Sequence, residues 1–136
     1  MSSELYRELI LEHYRHPKNY GELESPDFKA KDSNPLCGDE IEIQVKMGEG
    51  RIVKDVKFNG KGCAISKASA SLLTELIKGK DIDEIKEMRN EEILRLLGID
   101  TLQLNPARMQ CALLPLRVLK TGIRTYIGES AKRCLG

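Results

Sequence analysis

The stretch from Glu40 to Met47 alternates without exception. Ile41, Ile43, Val45 and Met47 fall on one side, and Glu40, Glu42, Gln44 and Lys46 on the other. A period of two is the mark of a half-buried β-strand. Gly48-Glu49-Gly50 then turns the chain, and Ile52 to Phe58 brings it back with Val56 and Phe58 on one side. Phe28 to Ser33 reads as a further short strand. The middle of the chain is therefore a small antiparallel sheet of two or three strands.

Helical spacing surrounds this sheet. Before it, Leu5, Leu9 and His13 form one row and Tyr6, Ile10 and Tyr14 the next, in a helix over residues 3–16 that Pro17 ends. His13 belongs to the apolar side of that helix. His16 sits at its C-terminal end, where a cation suits the helix dipole. Neither histidine is read as a metal ligand. After the sheet, Ala64, Ala68, Leu72 and Leu76 share a face of a helix over 64–78, closed by Gly79. Its first half is rich in Ala and Ser, which permits close approach of another element. Asp81 and Glu84 have capping-box spacing, and Asn90 opens another short helix. Asn105-Pro106 reads as N-cap and first residue of a last one. Pro115 leaves two arrangements open: a helix kinked there, or a helix starting there with Cys111 in the preceding turn. In both, Cys111 is near a helix start. Ala112, Leu116, Leu119, Ile123 and Ile127 form the core stripe of this last element. The chain reads as one domain over 1–136, with 130–136 a frayed tail.

Chemistry concentrates at the turn Asn34-Pro35-Leu36-Cys37-Gly38-Asp39, where a thiol and a carboxylate stand two residues apart. Pro35 and Gly38 break regular structure around them, so a bound group can come close to the backbone. Cys63 follows Gly62 and opens the helix over 64–78, where the dipole favours thiolate over thiol. Cys111 follows Gln110. Three thiols and one carboxylate near element ends make a candidate four-ligand site for a soft metal: Cys37, Asp39, Cys63 and Cys111. The competing reading is three small core cysteines, and no pair is spaced as C-x-x-C. Cys134, in the tail, stands apart.

Composition narrows the function. Lys+Arg 22 against Asp+Glu 21 supplies no basic field for nucleic acid, and the absence of Trp leaves little to stack on bases. No apolar run approaches the roughly 20 residues of a membrane span. The N-terminal residues lack the pattern of a signal peptide. The expectation is a cytoplasmic protein that binds neither nucleic acid nor membrane, with its cysteines reduced.

The cysteine motifs taken in order resemble a known family. Asn34-Pro35-Leu36-Cys37-Gly38-Asp39, then Gly60-Lys61-Gly62-Cys63-Ala64-Ile65-Ser66 running into Ala68-Ser69-Ala70-Ser71, then Cys111-Ala112-Leu113-Leu114, are similar to the IscU-type iron–sulfur cluster assembly scaffolds. These share a family with SufU and the N-terminal domain of NifU. His13-Tyr14-Arg15-His16-Pro17-Lys18-Asn19-Tyr20-Gly21 is similar to the family's entry motif, and the likeness runs from about Leu5 to Ile127. It implies an α+β fold, with the sheet following the N-terminal helix and carrying a layer of helices.

The resemblance also implies a scaffold rather than an enzyme. Such a protein takes sulfur from a cysteine desulfurase, combines it with iron as a [2Fe–2S] cluster, and passes the cluster to recipient apo iron–sulfur proteins. Cys37, Asp39, Cys63 and Cys111 carry over as the metal ligands, and Cys63, Cys111 and Cys37 as candidate sulfur acceptors. The alternative within the family is a SufU-like zinc (Zn2+) protein whose cysteine accepts sulfur from the desulfurase. Two departures stand out. Gln110 occupies the place where IscU proper usually has His. Leu104-Asn105-Pro106-Ala107-Arg108 replaces the Leu-Pro-Pro-Val-Lys recognised by the dedicated Hsp70-type chaperone, which argues against that partner.

Overall fold

The computed structural model describes residues 3–36, 38–98 and 105–135, with side chains from Glu4 to Glu129 within those ranges. Helix α1 (Ser3–Arg15) leads into a meander of three antiparallel strands, β1 (Phe28–Asn34), β2 (Asp39–Met47) and β3 (Val53–Lys61), in that spatial order. Helices α2 (Ala64–Ile77), α3 (Ile82–Lys86), α4 (Asn90–Leu96) and α5 (Pro106–Leu135) follow. The fold is α+β, with the helices layered on the sheet.

The alternation in β2 selects the covered face. Ile41, Ile43 and Val45 are buried, and Val56 and Phe58 of β3 lie beside them. α5 packs on β1 and β2, α2 on β3 and α5, and α1 on α2. Phe28 stacks on Tyr126 with ring centroids 5.0 Å apart, fastening β1 to α5. The opposite face of β2 is not fully wet either. Gln44 is buried because the connector after α1 crosses it, and its Oε1 accepts from the Leu23 N–H at 2.8 Å.

Two local differences from the sequence reading have physical causes. β3 continues past Phe58 to Lys61, because Asn59, Gly60 and Lys61 pair with Glu42, Ile41 and Glu40 at the start of β2. The row Ala64, Ala68, Leu72, Leu76 is not the deepest face of α2. Ala70, Leu73 and Ile77 are fully buried, while Leu72 and Leu76 are half-buried in a cleft with Tyr6, Leu9 and Leu96. A helix packed against α1, β3 and α5 together buries more than one stripe.

Of the two arrangements left open at Pro115, α5 takes the one in which the helix runs through it, and it continues to Leu135. Pro115 cannot supply the N–H that would bond the Cys111 carbonyl. One residue on, the Ala112 carbonyl accepts from Ser69 Oγ at 2.6 Å, pinning α2 to α5. Ala112, Leu116, Leu119 and Ile123 are buried as the stripe requires, with Ile127 at its edge. The backbone of 130–135, expected to fray, is part of this helix; Gly136 and the Cys134 side chain lie outside what is described. Among the described residues, no helix is long and apolar enough to cross a membrane.

His13 behaves as an apolar-face histidine. It is 8% exposed, and its Nδ1 lies 2.7 Å from Ser71 Oγ, which also accepts from the Lys18 N–H. Burial, the largest effect, lowers its pKa against the opposing pull of Glu75. His16 is exposed.

Candidate metal centre

Asp39, Cys63 and Cys111 come together although they lie on three elements. Asp39 is the first residue of β2, Cys63 the N-cap of α2, and Cys111 is in the second turn of α5. One ligand atom from each lies within 4.8 Å of the others. Cys63 Sγ is 3.9 Å from Asp39 Oδ2. Metal–ligand bonds of 2.0–2.3 Å in a tetrahedron place donor atoms about 3.3–3.8 Å apart. The observed spacing therefore fits a single ion after side-chain adjustments of roughly 1 Å. Two sulfurs and one carboxylate also match the softness of zinc or iron. Cys37, the remaining candidate ligand, lies outside the described residues.

Local sequence explains each placement. Asn34 accepts from the Leu36 N–H through Oδ1 at 3.2 Å and from the Gly38 N–H through its carbonyl at 2.9 Å. This is an Asx-type turn, and Gly38 completes it at φ 71°. The turn delivers Asp39 to β2 directly opposite Asn34. Asp39 is 1% exposed, and its Oδ1 accepts from the Cys63 N–H at 2.9 Å. The carboxylate thus serves one of the unpaired donors at the start of α2. Gly62 makes the approach possible: a Cβ there would stand 2.9 Å from Asp39 Oδ1 and would also collide with Ser66 Oγ.

The two described cysteines differ. Cys63 is partly exposed and Cys111 fully buried, and both are thiols rather than halves of a disulfide. Ser66 Oγ donates to the Cys63 carbonyl at 3.1 Å and lies 3.8 Å from Cys63 Sγ. On the neighbouring surface the Lys67 ammonium lies over the rings of Tyr14 and Tyr20, 5.8 and 5.6 Å from their centroids. Gln110 is exposed, as is the first turn of α5 through Arg108. The sequence reading did not single out the hydroxyls of Ser66, Ser69 and Ser71. Their signal was present, as small polar residues recurring along a helix whose other positions are apolar, but their partners lie on other elements.

Comparison with known proteins agrees with this architecture. Over an alignment of 133 residues the chain is 39% identical to the zinc-dependent sulfurtransferase SufU of Bacillus subtilis, covering 88% of this chain and 89% of that protein. It is 36% identical to the iron–sulfur cluster assembly scaffold protein IscU of Rickettsia prowazekii over 127 residues, covering 89% and 91%. Among solved structures, the NifU-like N-terminal protein of Brucella abortus superposes with a TM-score of 0.76 at 25% identity, over 93% of this chain and 96% of that one. A putative iron–sulfur cluster assembly scaffold protein for the SUF system from Fervidobacterium islandicum gives 0.75 at 27%, over 90% and 99%. The family described as the NifU-like N-terminal domain matches residues 5–133. The chain, with its meander sheet, helical layer and Asp39–Cys63–Cys111 cluster, belongs to the NifU-like N-terminal domain family.

Proposed function

We propose that this protein is a scaffold on which a [2Fe–2S] cluster is assembled from iron and desulfurase-derived sulfur before transfer to apo-proteins. The observation that carries the reading is the convergence of Asp39, Cys63 and Cys111 from three distant segments. Cys37 is assigned as the fourth ligand, two residues before Asp39 in the chain. Thiolates suit iron and bridging sulfide. A carboxylate is harder and holds such iron less firmly, which suits a site that must release what it builds. Free thiolates also call for a reducing compartment such as the cytoplasm.

Sulfur enters by exchange. A site thiolate attacks the outer sulfur of a desulfurase persulfide, the S–S bond breaks, and the desulfurase cysteine leaves as thiolate. Cys63, Cys111 and Cys37 are the acceptor candidates. Between the two described, the exposure of Cys63 makes it the better first acceptor. The protein carries and releases rather than turns over, so it acts as a scaffold and not as an enzyme. A dedicated Hsp70-type partner is not part of this reading, given the residues at 104–108.

The second reading is a zinc-bound sulfur acceptor that holds no cluster. It is favoured by the tetrahedral fit of the donors and by the likeness to a zinc-dependent sulfurtransferase. The transferred sulfur is at the persulfide level and needs two electrons to become sulfide, so anaerobic reconstitution with ferrous iron, cysteine, a cysteine desulfurase and a thiol reductant separates the two. A coloured product with iron and sulfide in equal amounts supports the scaffold; a colourless protein that keeps only zinc under all conditions supports the acceptor. In the same assay Cys37→Ser, Cys63→Ser and Cys111→Ser lose the cluster, and Cys134→Ser keeps it.

A further inference from the structure

We propose that Asn34 is a positioning residue of the metal centre, whose side-chain N–H donates to a metal-bound thiolate. The inference rests on the assignment of Asp39, Cys63 and Cys111 as metal ligands.

Asn34 is 5% exposed, and its Nδ2 has no hydrogen-bond partner among the described residues. The amide cannot be turned over to relieve this. Oδ1 is held by the Leu36 N–H at 3.2 Å, and a flip would set an N–H against an N–H. The end of β1 is itself anchored. Arg117 donates to the Ser33 carbonyl at 3.4 Å and pairs with Asp32 at 3.3 Å.

Register places Asn34 beside the site. It pairs directly with Asp39, so the two side chains project from the same face of the sheet. That face is the one on which the Asp39 carboxylate meets Cys63. As the donors stand, neither the Asp39 carboxylate nor the Cys63 and Cys111 sulfurs accept from Nδ2, which has no partner among the described residues. In a metal-loaded site Asp39 Oδ1 remains taken by the Cys63 N–H and the other oxygen by the ion, so the acceptors left for Nδ2 are the thiolates, drawn in as the donors close on the ion. A buried amide donor without a partner is unfavourable in the metal-free protein and becomes favourable when charged sulfur is fixed within reach. N–H···S bonds of this kind orient a ligand and spread its charge, and losing an outer contact weakens metal binding about 10–100-fold.

Asn34→Ser is the discriminating variant. A serine hydroxyl can still accept from the N–H two residues on, but the amide donor is gone. Zinc affinity is measured by chelator competition on the whole chain, and the thermal midpoint on the metal-free protein. The expected result is zinc binding weakened about 10–100-fold with a metal-free midpoint equal to or above wild type. On wild type itself, zinc should shift the Asn34 side-chain amide protons in the NMR spectrum and slow their exchange. Unchanged affinity, or unmoved amide protons in the zinc-loaded wild type, overturns the proposal while leaving the ligand assignment intact. A lowered metal-free midpoint also overturns it, since it makes Asn34 a turn residue only. A wild type that binds no zinc overturns the ligand assignment together with the proposal.

Discussion

In the proposed site Asp39 has two tasks on one carboxylate: an oxygen for the metal, and acceptance of the Cys63 backbone N–H, which the fold already shows. The tasks separate by substitution. Asp39→Ala removes both and should lower folding stability by about 2 kcal/mol, the scale of a lost hydrogen bond to a charged group. Asp39→Asn keeps an oxygen for the Cys63 N–H and should lose less. On the proposed assignment both variants remove the carboxylate ligand, the position where a recipient thiolate would begin exchange. A loaded cluster should then pass to an apo-ferredoxin more slowly and survive oxygen longer than in wild type. Transfer and bleaching followed by absorbance check this, and equal rates would move the exchange point elsewhere. Gly62 supports the same contact by having no side chain. Gly62→Ala places a Cβ 2.9 Å from Asp39 Oδ1. The expected cost is about 1–3 kcal/mol in a denaturant titration, as for other overpacked sites, together with weaker zinc binding because the carboxylate is displaced.

At the scale of elements, α2 is held by hydroxyls as much as by apolar contact. Ser69 reaches α5, Ser71 meets His13 of α1, and Thr74 Oγ1 takes the Asn19 amide at 3.1 Å. The α1–α2 contact should make stability depend on pH. The folded state lowers the His13 pKa below its usual 6.5, so the native protein holds the proton less well than the unfolded chain. Stability is then unaffected by this group above about pH 7. It declines as pH falls through 6.5 and levels off once the lower, folded-state pKa has been passed. Denaturation midpoints between pH 7.5 and 5 should fall in wild type, and His13→Gln should flatten the slope. Glu42 and Asp55, whose pKa values are also lowered, act in a more acidic window, so they do not mimic this effect. Gln44 lowers Glu42 by donating to its carboxylate. At Asp55, burial is the largest influence and raises the pKa, but the Val56 N–H and Lys78 together outweigh it.

For the whole molecule, the proposed metal centre is a joint between sheet and helical layer: its described donors, Asp39, Cys63 and Cys111, come one each from β2, the start of α2 and α5. An ion bound there links segments that the unfolded chain keeps apart, so binding free energy adds to folding free energy. At zinc a hundredfold above its dissociation constant the gain is about 2.7 kcal/mol. Zinc should therefore raise the thermal midpoint and a chelator should reverse the rise. Cys111→Ser should abolish the zinc response, because it removes the donor that brings in α5. A zinc-induced rise that persists in Cys111→Ser would place the ion elsewhere.

Much of this was written locally. The alternation of β2 depends only on which residues are apolar, so it named the buried face before any partner was known. The Asn34–Asp39 turn depends on side chains bonding their own backbone. Asp81 caps α3 by accepting from the Asp83 N–H for the same reason. The cysteine motifs, taken together, identified the family. What sequence could not decide were matters of relative position. The deepest face of α2 depends on three neighbours at once. Pro115 in isolation favours a break, yet α5 continues because the contacts of its apolar stripe with the sheet and α2 outweigh one missing hydrogen bond. The meeting of Asp39, Cys63 and Cys111 within 4.8 Å follows from the packing of three elements. Donor chemistry is a property of single residues and can be read along a chain; the distance between donors is a property of packing and exists only in the folded molecule.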